Sequence, residues 1–179
     1  MTSDDLKARQ APLKTKYRED PNSAVLTMRV TGVLHPERIC CEIETWGKRV
    51  EAGLHPAAGG DGSFACSGDM LLEALAGCAG VTLLAVATAM SLPVRGGTIV
   101  VEGDVDFRGT LGISKEVPVG FIAIRTKFTL DAELTAEQTQ SLKKLCERYC
   151  VVAQSLRAPI DVSIECVPQA SGATSAQSH

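Results

Sequence analysis

Aromatic residues are scarce in this 179-residue chain: four Phe, two Tyr and one Trp make up 4% of it. A core of stacked rings is therefore excluded, and packing must come from Ala, Val, Leu and Ile. No Lys/Arg run of five or more occurs and the net charge is −3, which removes the electrostatic footprint that nucleic-acid binding requires. There is no Cys-x-x-Cys, and the three His (His35, His55, His179) are scattered, so no zinc-ligand spacing is present. The Gly-x-Ser-x-Gly elbow of serine hydrolases is also missing. A Gly-rich stretch, His55 to Ser63, lacks the strand, helix and Lys of a phosphate-binding loop and reads as a mobile loop. No metal or organic cofactor is expected.

What the chain does have is cysteine, seven in all. The opening Met1-Thr2-Ser3-Asp4-Asp5-Leu6-Lys7 contains no apolar signal-like run, so the expected compartment is the reducing cytoplasm, with free thiols. Leu71–Met90 is long enough to span a bilayer. It carries Glu73, is rich in Ala and Gly, and lacks flanking cationic or Trp anchors. It reads as a core helix covered on all sides, with no membrane partner.

The length suits a single domain. Residues 1–23, with Pro12 and Pro21, read as a polar, partly disordered arm, residues 24–167 as the folded domain, and 168–179 as a disordered tail. Strands are expected over Ala24–Val33, Ile39–Trp46 and Arg49–Leu54, with a turn at Gly47-Lys48. The first helix spans about Asp69 to Met90, capped by Asp69 or Ser67 and ended by Leu92-Pro93. Two alternating strands follow. Ile99, Val101, Val105 and Phe107 oppose Glu102, Asp104 and Asp106; Ile122, Ile124, Phe128 and Leu130 oppose Arg125, Lys127 and Thr129. The opposite signs of the outer faces suit cross-strand pairing.

Thr135-Ala136-Glu137-Gln138 is a capping box that opens a second helix. The stripe of that helix is Leu142, Leu145, Cys146, Tyr149, Ala153 and Leu156. Ile160–Cys166 is a last strand. The order of elements gives an α+β domain.

Cys40 and Cys41 are neighbours on a strand and point to opposite faces, which suits packing rather than chelation. Cys66 reads as loop filler and Cys166 as core. Cys78 is different, because it lies inside the long apolar helix; Cys150 comes 72 positions later (150 minus 78) near the end of the second helix, one turn beyond Cys146. A thiolate on a rigid helix is a strong nucleophile, and a second thiol can rescue its oxidised form.

The segment Ser67–Thr82, an acidic residue followed by an apolar run ending in Gly77-Cys78, resembles the central-helix motif of the OsmC/Ohr family. Val101–Gly109, Gly120–Arg125 and Glu147-Arg148-Tyr149-Cys150 extend the likeness in the same order, over about residues 59–166. The resemblance implies an intertwined homodimer in which antiparallel sheets wrap two central helices. It implies a thiol-dependent peroxidase for organic hydroperoxides, re-reduced by a dithiol or a lipoylated protein. Cys78 matches the peroxidatic position and Cys150 the resolving one.

This chain departs from the family pattern at three places: Val151 stands where a Pro usually follows the second Cys, Ser67 replaces a Pro, and Gly68 replaces a Glu. Asp69 adjoins Gly68 but lies ~13 Å from Cys78 along a helix, so it would have to act from the other subunit. The family's activating Arg comes from the N-terminal strands, where Arg29 and Arg38 are the candidates. The alternative reading is a non-catalytic dimer of the same fold, structural or binding a small apolar ligand. The sequence leaves open whether Cys146 competes with Cys150.

Overall fold

A computed structural model describes residues 1–45 and 47–168. The chain begins with helix α1 (Ser3–Glu19), where an irregular arm was expected. Thr2 caps it: its hydroxyl accepts from the Asp5 N–H, and the Asp5 carboxylate accepts from the Thr2 N–H. Pro12 is accommodated inside the helix. The Ser3 hydroxyl donates to the Ala89 carbonyl at 3.4 Å, which ties α1 to the end of the central helix. The tail reading over 168–179 falls, beyond Pro168, outside the described residues.

The first sheet has the order β1 (Gly32–His35), β2 (Cys40–Thr45), β3 (Lys48–Gly53), β4 (Ala65–Cys66). The strand expected over 24–33 is confined to its last residues. Gly32 pairs with Ile43 and β2 ends at Thr45, so its ladder offers little further pairing to the preceding chain. Val25, Leu26, Met28 and Val30 remain exposed. Lys48, expected in the hairpin turn, already pairs with Thr45, and Gly47 supplies the left-handed φ of 71°; Trp46, the expected end of the strand before it, lies outside the described residues.

The second sheet is β5 (Val94–Val105), β6 (Phe121–Ala132) and β7 (Ile160–Cys166). Its outer face shows the anticipated charge pairing, with Arg125 bridging Glu102 and Asp104, and Lys127 meeting Glu165 at 2.8 Å. These exposed pairs set register more than stability. Phe107 has left the strand. Asp106 accepts from the Arg108 N–H and starts the short helix α3 (Phe107–Thr110), and the Phe107 ring stacks on His55.

Both sheets are mixed, because β3/β4 and β6/β7 are parallel pairs. A parallel pair needs a crossover, and the β6–β7 crossover is helical. It consists of α4 (Ala136–Tyr149), with the foreseen Thr135/Gln138 capping box, and α5 (Val151–Ser155). The crossover lays α4 against the central helix α2 (Ser67–Ala89). Leu75, Ala79, Leu83 and Ala87, each four residues apart, form the buried line of α2. They meet Ile124, Phe128, Leu130 and Ala132 of β6 and Leu142 and Cys146 of α4.

Two expectations for α2 are corrected. Its N-cap is Cys66, which makes no side-chain capping bond, rather than Ser67 or Asp69. It is also not covered on all sides within the chain, since Leu71, Val81 and Leu84 are exposed. By length and composition alone α2 could cross a membrane; its buried line instead packs into the core just described.

The crossover generates a ranked prediction for stability. Leu142 is fully buried, and Leu142→Ala should cost about 2–5 kcal/mol through the cavity it leaves. Thr135→Ala removes only the α4 cap and should cost ~1 kcal/mol. Urea unfolding of both variants checks the order; a Thr135→Ala loss as large as that of Leu142→Ala contradicts it.

Candidate active site

Leu142 and Cys146 are the buried positions of α4, and continuing their four-residue step would carry the helix through Cys150. It does not continue. Cys150 adopts φ −75° and ψ 105°, an extended conformation, so the expected single helix through Leu156 is two helices. The Cys150 N–H still donates to the Cys146 carbonyl at 3.1 Å, but the ladder stops there. In an unbroken helix the Val151 N–H would donate to the Glu147 carbonyl. Here the Gln154 side-chain amide donates to that oxygen at 2.8 Å. The break therefore leaves no orphaned carbonyl at Glu147, and it frees the amides at the start of α5.

Those amides turn toward Cys78. Burial pushes the Cys78 thiol up, but four groups outweigh it: the Val152 amide, the Cys150 thiol, the Thr82 hydroxyl and the Val151 amide. Each is a donor whose proximity favours the charged form of the sulfur. The net direction is downward from the ordinary 9.0. Thr82 stands one helical turn after Cys78 on the same face of α2.

Cys150 is shifted the other way. Burial raises it, the amides of Ala153 and Val152 partly offset that, and the neighbouring Cys78 raises it further. The two sulfurs thus form one coupled pair, with Cys78 the more acidic member. Cys78 is half-buried, whereas Cys150 is only 1% exposed.

Cys146 is a third nearby sulfur. Its thiol donates to the Ala79 carbonyl at 3.6 Å. Burial, together with the charges of Cys150, Glu147 and Cys78, pushes it up to about 12.

The other candidates lie elsewhere. Asp69 is in the first turn of α2, far along the helix from Cys78. Arg38 lies in the turn between β1 and β2, where it pairs with Glu51 at 2.6 Å and with Glu37, and covers the Phe64 ring. Arg29 is exposed in the segment before β1. None of the three is among the groups that set the Cys78 thiol within this chain. Among the described residues, no group of three His, Cys, Asp or Glu is placed to hold a metal ion.

Sequence reasoning missed four contributors. Thr82 was findable from its four-residue spacing to Cys78. The Val151 and Val152 amides were not, because backbone groups leave no mark in the sequence unless the helix break is foreseen. Gln154 gave no signal of its own.

Comparison with known proteins bears on the fold. No curated protein sequence matches the chain. Solved structures do match. An OsmC-like protein from Mycoplasma pneumoniae superposes with a TM-score of 0.62 at 14% identity, covering 78% of this chain and 98% of that one. An organic hydroperoxide resistance protein OsmC from Legionella pneumophila gives 0.61 at 14% identity, over 79% and 98%. The organic hydroperoxide resistance protein OhrB of Bacillus subtilis gives 0.54 at 19% identity, over 80% and 100%. At these identities the likeness concerns the fold. The family model described as OsmC-like protein matches residues 60–165, a span that contains α2 and both sulfurs of the pair. With more than half of its length matched to that model, the chain belongs to the OsmC-like protein family.

Proposed function

We propose that the protein is a thiol-dependent peroxidase that reduces organic hydroperoxides, with Cys78 as the peroxidatic and Cys150 as the resolving residue. The observation that carries this reading is the pairing of a half-buried, acidified Cys78 with a buried Cys150 thiol facing it. Relatives of the same fold named for organic hydroperoxide resistance support it at family level.

The Cys78 thiolate attacks the distal oxygen of R–O–O–H. The O–O bond breaks, and the alkoxide leaves and takes up a proton as the alcohol. Cys78 is then a sulfenic acid, oxidised by two electrons. Cys150 attacks that sulfur and expels hydroxide, which leaves as water once the Cys150 proton is transferred, and a Cys78–Cys150 disulfide remains. A dithiol or lipoylated protein returns two electrons and reopens it.

The assignment of roles follows from exposure and acidity. The peroxide meets Cys78 first, since Cys150 is the less exposed of the two. Cys146, held at about 12 and donating to Ala79, stays protonated and does not compete. The exposed face of α2 suits the homodimer expected for the fold, and a second subunit could supply Asp69, Arg38 or Arg29. The cytoplasm, which keeps these thiols reduced, is the compartment that fits.

Mass spectrometry after one equivalent of cumene hydroperoxide tests the chemistry. The native chain should lose about 2 Da as the disulfide forms, whereas Cys150→Ser should gain about 16 Da at Cys78, and about 32 Da only when a second equivalent is added. No Cys78–Cys146 bond should appear in that variant. Undiminished peroxide consumption by Cys78→Ser overturns the proposal.

The acidity has its own test. Thiolate rises as pH rises through the pKa, so the alkylation rate of Cys78 should reach half its plateau below pH 9.0. Thr82→Val removes a donor to the charged form, which moves that midpoint to higher pH and slows alkylation at neutral pH several-fold. An unmoved midpoint in Thr82→Val contradicts the role given to the hydroxyl.

A further inference from the structure

The break between α4 and α5 leaves a gap between those helices and the second sheet. A cleft of about 240 Å³ opens there, with Cys146 and Cys150 on one wall and Phe128, Ile160 and Val162 on the other. Cys78 does not line it, so it is distinct from the approach of a peroxide to that sulfur.

One wall group is out of character. Thr126 of β6 lies in the cleft and is 2% exposed, yet its Oγ1 has no hydrogen-bond partner among the described residues. The other fully inward positions of β6 nearby, Ile124, Phe128 and Leu130, are apolar. A Val at 126 would keep the shape and the strand preference without burying an unpaired hydroxyl. An unpaired hydroxyl in such a place is what a pocket needs to orient an otherwise apolar ligand.

We infer that this cleft is a binding site for a neutral alcohol with a compact apolar body, whose hydroxyl pairs with Thr126 Oγ1. The chemistry of the walls selects that class. The Thr hydroxyl can donate or accept, and an alcohol can answer either way. Glu147 also lines the cleft, so a carboxylate ligand would meet a like charge. The volume exceeds the ~150 Å³ of an apolar cavity that takes up benzene, so a ring with a short hydroxyl arm fits. The occupant would lie against Cys146 and Cys150. The inference stands without the peroxidase reading; with it, the ligand class is that of the reaction's own product.

The test uses the reduced full-length protein with no peroxide present, so its outcome is separate from that of the Cys78 chemistry. Benzyl alcohol, toluene and benzoate are titrated against it by NMR. Benzyl alcohol should bind saturably and about tenfold or more tighter than toluene or benzoate. Thr126→Val should lose the preference for the alcohol over toluene, and Thr126→Ser should keep it. Absence of saturable binding, equal affinity for toluene, or an unchanged preference in Thr126→Val overturns the inference. Because Val could repack the wall, crystals of the native protein soaked in benzyl alcohol give a second reading. The ligand hydroxyl within hydrogen-bond distance of Thr126 is expected there, and only an ordered water at that position refutes it.

Discussion

At Cys150 the backbone leaves helical geometry with ψ of 105° and re-enters it at Val151. Had the helix run on, the Val151 and Val152 amides would be bonded to carbonyls one turn back and hidden along the helix axis. The break instead directs them at the Cys78 sulfur, presents the Cys150 thiol to the same atom, and opens the cleft behind it. Oriented backbone amides cost no titratable residue and do not have to be reorganised when charge appears on the sulfur.

The break is held without a proline. Val151 follows Cys150, and its N–H is among the groups that lower the Cys78 thiol. The Glu147 carbonyl that the missing helical bond would have orphaned is taken by the Gln154 side chain. A side-chain donor thus stands in for the backbone donor that the break removes from that carbonyl.

The three sulfurs on this interface differ through environment alone. Cys78 is acidified by donors, Cys150 is raised by burial beside a potential thiolate, and Cys146 is raised furthest by burial. Environment alone thus spreads chemically identical groups over different acidities. Asp69, Arg38 and Arg29 lie elsewhere in the chain. Arg38 is occupied by Glu51 on the first sheet.

Periodicity in the sequence determined much of the architecture. The alternation along β5 and along β6 from Ile124 on, the Thr135 capping box and the apolar run of α2 each follow from local side-chain chemistry, and each recurs in the fold; Ile122, expected inward with them, is exposed. The motif around Cys78 was legible because residue type and order suffice to mark it. Local patterns misled where a partner decides the outcome. The segment before Gly32 is apolar enough for a strand but gains little ladder beyond Ile43, and the stripe through Leu156 looked continuous although the helix stops at Tyr149. Only the tertiary structure decided that Cys78 meets Cys150, that two backbone amides join them, and that Thr126 buries a hydroxyl with no partner among the described residues. Those facts depend on distances between residues remote along the chain and on donors common to every peptide unit, neither of which the order of side chains records.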